Sequence, residues 1–400
     1  MLSQEVEERL AEYLVNRITE ANSYILKIIG ETIKEIGEMT PSQARKLQQI
    51  LKYGGTYEQM AREIARISGK NVQDIYKIFE QVAKSNLDFA EKFYDFRGID
   101  FIPYEENLAL QHMVESIGNL TAQTYLNIAN TRGIGLLFRD ANNQMYFRNL
   151  EQSYYEIVDR AILSISQGKE AFYSEMRRIM TDIGNNGVVL YNTGRTRRLD
   201  TAVRMNILDG IRQLNIETSQ MFGEEYGADG VEISVHENPA PDHEDIQGRQ
   251  FSKEQYEILE SGGEATDVKG NTYDGADKRH IGEYNCYHKI FTIVLGVSEP
   301  EYTDQQLKEI IDKNKAGFEY NGKHYTMYKG TQLQRRLETE IRKQKETQIL
   351  ANASGDNELA LQCDKEIQIL KNRYNEVCNI SGLKSQQQRM FVANYKRIKN

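Results

Sequence analysis

The chain has 400 residues, 39% hydrophobic and 27% charged, with 50 basic against 59 acidic side chains and a net charge of −9. That length calls for two or three domains, and that charge argues against a protein that coats nucleic acid over its whole surface. Three cysteines, an odd number, do not make a disulfide framework and fit assembly in a reducing cytoplasm; the acidic start MLSQEVEERL does not read as a secretory leader, and no apolar run is long enough to span a membrane.

Over the first hundred residues the pattern predicts a bundle of short helices. Val6, Leu10, Leu14 and Ile18 recur every four residues and share one helix face. Thr40, Pro41 and Gln43 make a capping-box start for a helix that Gly54 and Gly55 end. Thr56 and Gln59 repeat the start, Gly69 repeats the stop, and Asn71 is placed to cap a third helix carrying Val72, Ile75, Phe79 and Val82. Helix, glycine turn, helix is also the outline of a helix-turn-helix DNA reader. Its second helix, however, would offer Lys77 beside Asp74 and Glu80 and no arginine, a poor set for reading bases.

The middle of the chain reads as mostly helical, with one hairpin, GLLFRDANNQMYFRNL, turning at Asn142-Asn143. Two helices ending in glycine follow. Then comes a long amphipathic one with Leu199, Val203, Ile207, Ile211 and Leu214 on one face. Arg195, Arg197, Arg198, Arg204 and Arg212 cluster there; they suit phosphate or carboxylate partners, but an exposed polar face is the plainer expectation. From Asp229 the texture changes. GVEISVHEN alternates as a strand that delivers His236, a glycine-rich loop follows, and NCYHKIFTIVLG reads as a second strand. This stretch, about 229–298, is the one that reads convincingly as β-containing. Helix returns at Thr303, a small hairpin turns at Asn321-Gly322, and the last seventy residues read as an antiparallel helical pair broken at Ser354-Gly355-Asp356. Residues 331–400 carry 13 lysines and arginines against 8 carboxylates, a basic tail on an acidic body. Such a tail suits an anionic partner or simply a solvated helix surface.

Chemistry concentrates in the second half. His236, His243, His280 and His288 fall within about fifty residues, and Cys286 and His288 are two apart. Alternate residues of a strand share a face, so Cys286 and His288 are able to address one ion, and His236 and His243 flank a Pro-Ala-Pro turn that folds them together. Nitrogen and thiolate ligands suit Zn²⁺, with His236, His243, Cys286 and His288 as the candidate set and Asp242 as an oxygen alternative. The spacing matches neither Cys-x2–4-Cys nor His-x3–5-His, and HExxH is absent. Cys286 with a histidine base is a nucleophile candidate, but nothing in the sequence lowers its pKa or orients the base. The plainest reading is structural, with polar side chains pinning loop backbone. No phosphate loop, GxGxxG or GxSxG is present, so an enzyme, namely a metal-dependent hydrolase or nuclease, would rest on this cluster alone.

SVHENPAPDHEDIQGRQFS followed by IGEYNCYHKIFTIVLGVSEPEYT resembles the phage minor capsid protein family, which is related to head-morphogenesis proteins of tailed phages of Gram-positive bacteria. The resemblance rests on His236, Pro241, Asp242, His243, Gln247-Gly248, Asn285-Cys286 and His288, and continues through YTMYKGTQLQRRLETEIRKQK. Many members carry arginine where Ala240 and Tyr287 stand here, which puts in doubt any contact that those arginines make in relatives. What the resemblance implies is a non-enzymatic structural protein of the virion, made in the host cytoplasm, in low copy inside the head near the portal. It would assist head assembly, bind portal and other capsid proteins, and contact or travel with packaged double-stranded DNA. It implies no cofactor, small-molecule substrate or membrane span; a structural zinc is the one metal the residues themselves suggest.

The expected fold is α+β and predominantly α-helical. It has an N-terminal helical bundle (1–100), a central helical region with a hairpin (101–228), a small mixed domain carrying the His/Cys motifs (229–330) and a C-terminal helical pair (331–400).

Overall fold

Apolar residues at helical spacing carry the first helix well past its first four turns. In the computed structural model, which describes residues 2–44, 55–130, 132–140, 142–192, 195–283 and 286–398, α1 spans Gln4–Gly37 and buries Leu14, Ile18, Ile25, Leu26, Ile29 and Ile33. The capping box at Thr40 forms: its backbone N–H donates to Gln43 Oε1 at 2.9 Å and its hydroxyl accepts from the Gln43 N–H at 3.4 Å. Gly54 and the Thr56 side chain lie outside the described residues.

The largest departure from the sequence pattern follows. Residues Gly55–Arg97 form one helix, α2, with no turn at Gly69. Met60, Ile64, Ile67, Ile75, Phe79 and Val82 make a continuous buried stripe across that position. Its packing outweighs the roughly 1 kcal/mol that a helical glycine costs. Asn71 is a buried tie and not a cap: its Nδ2 donates to Leu14 O at 3.2 Å and Tyr125 Oη at 2.8 Å. The helix-turn-helix outline is therefore not formed.

Helix α3 (Leu108–Ile128) packs on α2 and starts at Asn107, whose side chain accepts from the Leu110 N–H. Strands β1 (Ile134–Arg139) and β2 (Met145–Asn149) form the expected hairpin, with Asn143 in the left-handed region at φ 64°. Helices α4 (Leu150–Gln167) and α5 (Lys169–Asn186) follow. A second hairpin, β3 (Val189–Asn192) and β4 (Arg195–Arg198), then completes a four-stranded sheet in the order β2-β1-β3-β4. The expected hairpin supplies half of this sheet; β3 and β4 have no counterpart in the sequence pattern, because four-residue strands are too short to establish an alternation.

Helix α6 (Leu199–Glu225) buries Leu199, Val203, Ile207, Ile211 and Leu214 as its periodicity requires. Strands β5 (Gly230–Ile233), β6 (Gln250–Ser252) and β9 (Ile290–Ile293) make an antiparallel sheet in the order β6-β5-β9. Between β6 and β9 lie α7 (Lys253–Glu260) and a third hairpin, β7 (Glu264–Thr266) with β8 (Thr272–Asp274), where a glycine-rich loop was expected. Helix α8 (Asp304–Ala316) starts on a complete Thr303/Gln306 capping box. Strands β10 (Phe318–Tyr320) and β11 (Lys323–Tyr325) turn at Asn321-Gly322, both at positive φ, as a two-residue hairpin of this hand demands. The chain closes with α9 (Met327–Ser354), a left-handed Gly355, and α10 (Asn357–Ser381). The protein is thus predominantly α-helical α+β. One apolar core runs from Ala11 to Ala228 and takes in Ile349, Leu350 and Leu359 of the final pair; smaller cores form around Phe251 and around Tyr374.

Candidate functional site

Loop 234–249 leaves β5 and returns as β6. Its neck is closed by the Gly248 N–H donating to Ile233 O at 2.7 Å. Gly248 sits at φ 69°, and a Cβ there would stand 2.5 Å from Leu307 Cδ2, so both backbone and space select glycine. Exposed Pro241 opens a run of turns in which the His243 N–H donates to Ala240 O and the Gln247 N–H to His243 O, at 3.0 and 3.2 Å. Those turns aim His243 and Gln247 inward; both side chains are buried. The second segment, 286–289, leads into β9 and is not yet strand. It is held beside the loop by the Ser234 N–H to Lys289 O and the Lys289 N–H to Ser234 Oγ, each 2.8 Å.

Three of the four candidates converge. Cys286 Sγ lies 3.3 Å from His243 Nδ1 and 3.5 Å from His288 Nδ1, and the three atoms all fall within 4.8 Å of one another. Burial is nearly complete, at 1% exposure for His243, 3% for Cys286 and 2% for His288. His236 flanks the trio: its ring centroid is 4.6 Å from that of His288, and its Nδ1 accepts from the Asn238 N–H. His280 is elsewhere, exposed and 2.9 Å from Glu260. Asp242 is no ligand here, since its carboxylate accepts from Arg279 Nε and Nη2 at 2.6 and 3.0 Å. Asn285 lies outside the described residues.

The outer contacts were not legible in the sequence. His243 Nε2 donates to Arg279 O at 2.7 Å, and His288 Nε2 donates to Gln247 Oε1 at 3.2 Å. Gln247 Oε1 also accepts the His236 backbone N–H at 3.1 Å, which fixes which end of that amide is oxygen. Asn314 Nδ2 holds the loop from α8 through Glu244 Oε1 at 2.9 Å.

Electrostatics couples two members of the trio. Burial pushes the Cys286 thiol up, but the hydrogen bond and charge of His243 override it and hold the thiol below its ordinary range. Burial likewise opposes charge on His243, yet the Cys286 sulfur raises it. His288 is driven well below its usual value by burial and by the neighbouring His236 and His243. His236 falls to about 4, by burial and then His243. A nucleophilic thiol needs such a histidine, but this one is enclosed. A surface cleft of about 520 Å³ near α7, lined by Asp209, Gln213, Glu260, His280 and Glu283 among others, includes none of the trio.

The arginine cluster also sorts itself. Arg195 and Arg197 are exposed on β4. Arg198, Arg204 and Arg212, expected on a polar face, are instead largely or fully enclosed and paired with carboxylates of the same chain: Glu346 with Asp200, Glu12, and Asp209 respectively. The basic tail is likewise partly internal, with Arg342 on Asp200 and Arg389 on Glu338.

Compared with known families, the chain matches the model of Phage minor capsid protein 2 over residues 5–378. The chain belongs to that family. The match runs from the first turn of α1 to the end of α10 and contains the loop, the trio and the helical pair. Family membership makes this a structural phage protein of the virion that associates with other capsid components. No curated protein and no solved structure matches the chain. Among the described residues, no helix of this phage minor capsid family member is long and apolar enough to cross a membrane.

Proposed function

We propose that the chain is a minor structural protein of a tailed-phage head, working inside the capsid near the portal during head assembly and touching packaged DNA. The observation that carries this reading is a family match extending over nearly the whole chain, so that the helical body and the His/Cys unit belong to one architecture. The charge distribution supports it. Arg198, Arg204 and Arg212 are taken up by carboxylates of the same chain, while Arg195 and Arg197 stay exposed on an edge strand where a phosphate backbone could meet them. Phe96, Ile99, Ile102 and Leu108 each expose apolar surface within residues 96–108, where a protein partner could cover it.

Protease treatment tests the interior placement. In intact DNA-filled particles the chain is expected to survive, to be cut once heads are opened, and to cross-link to the portal. Digestion in intact particles, or cross-links confined to tail proteins, would contradict it.

A further inference from the structure

We infer that His243 Nδ1, Cys286 Sγ and His288 Nδ1 bind one Zn²⁺ that fastens loop 234–249 to the approach of β9, with water as fourth ligand. The inference is independent of the capsid role.

Spacing is the first support. A tetrahedral zinc with Zn–S of about 2.3 Å and Zn–N of about 2.0 Å sets sulfur and nitrogen about 3.5 Å apart. The two observed sulfur–nitrogen separations are 3.3 and 3.5 Å.

Proton counting is the second. Arg279 O only accepts, so His243 Nε2 carries the proton and Nδ1 presents a lone pair to the sulfur. Gln247 Oε1, whose identity the His236 N–H fixes, makes the same demand of His288. Two lone pairs thus face one sulfur. A thiol has one proton and satisfies one of them. Moving that proton to His243 leaves His288 Nδ1 facing a thiolate. A cation between the three removes the conflict, and the carbonyl acceptors behind both rings are the outer contacts that metal-bound histidines use.

The metal would join the two segments that the hydrogen bonds of Ser234 already bring together, so it holds the fold and is shut off from solvent.

Tag-free full-length protein, purified without chelator, is expected to carry one zinc per chain by elemental analysis. Exchanged for cobalt, it should show the strong visible bands of a tetrahedral site and a near-ultraviolet sulfur-to-cobalt band. Cys286→Ser should abolish the sulfur band. Gln247→Ala, which keeps all three ligands, should weaken zinc binding by about 10–100-fold in a chelator competition; it carries the test should Cys286→Ser fail to fold. Zinc well below one per chain after reconstitution, a cobalt spectrum without the sulfur band, or unchanged affinity in Gln247→Ala overturns the assignment.

Discussion

Replacing Asp200 with alanine is expected to cost about 3–5 kcal/mol of folding stability, measured by denaturant unfolding at neutral pH. Asp200 stands in the first turn of α6 with 3% exposure. Its carboxylate accepts from Arg342 Nε at 3.0 Å and from Arg198 Nε and Nη2 at 3.3 Å, while Arg198 also reaches Glu346 Oε1 at 2.6 Å. The alanine leaves two guanidinium groups facing each other with one fewer anion between them, and a buried charge without its partner is what makes such truncations expensive. A loss below about 1 kcal/mol would show that water or rearrangement replaces the carboxylate.

The pH dependence follows with a definite sign. Burial pushes the Asp200 carboxyl up, but the charges of Arg198 and Arg342 more than offset it and hold it well below the usual carboxylate range. A depressed folded pKa contributes stability that is fully present above the unfolded value of about 3.9 and is lost as pH falls toward the folded one. The gap between wild type and Asp200→Ala should therefore be level from pH 7 to about 5 and shrink below about 4. A gap that widens on acidification contradicts the ion-pair account.

Alanine at three glycines should give effects of opposite sign. Helix α9 is clasped where α1 and α5 each present a glycine. A Cβ on Gly30 would stand 2.7 Å from the Leu350 carbonyl oxygen, and one on Gly184 would stand 2.9 Å from Thr347 Cα. Both obstacles are backbone, so the helices must separate, and each Gly→Ala change is expected to cost about 1–3 kcal/mol. A Cβ on Gly69 meets nothing within 4 Å, in the middle of α2. Gly69→Ala should therefore stabilise by about 0.5–1 kcal/mol, because it only removes a flexible residue from a helix. Were Gly69 a turn residue, the same change would destabilise, so chemical unfolding of this one variant separates the two readings.

Gly69 also shows where the sequence misleads. Glycine and asparagine mark a stop and a start by local propensity, and here tertiary burial on both sides of them prevailed. Signals that rest on backbone geometry survived better. Asn142-Asn143 and Asn321-Gly322 both mark real hairpins, because the left-handed conformations they favour are needed there whatever packs around them. The apolar face of α6 was legible for the same reason that its burial is complete: Leu199, Val203, Ile207, Ile211 and Leu214 repeat at helical spacing. The pairings of Arg198 and Arg204 were not, since Glu346 and Glu12 come from distant parts of the chain and no local pattern announces them. At the His/Cys cluster, composition picked out the residues, and the pairing of Ile233 with Ile290 decided which ones meet. His236, His243 and His288 look alike in the sequence. Only the Arg279 and Gln247 acceptors, set by loop conformation, show which nitrogens face the sulfur.

The most direct measurement is the protein composition of purified phage particles, with heads and tails separated and quantified by mass spectrometry. The account predicts this chain in the head fraction, at far lower abundance than the shell protein. Its absence from purified heads, with the chain remaining in the infected-cell lysate, would contradict the account.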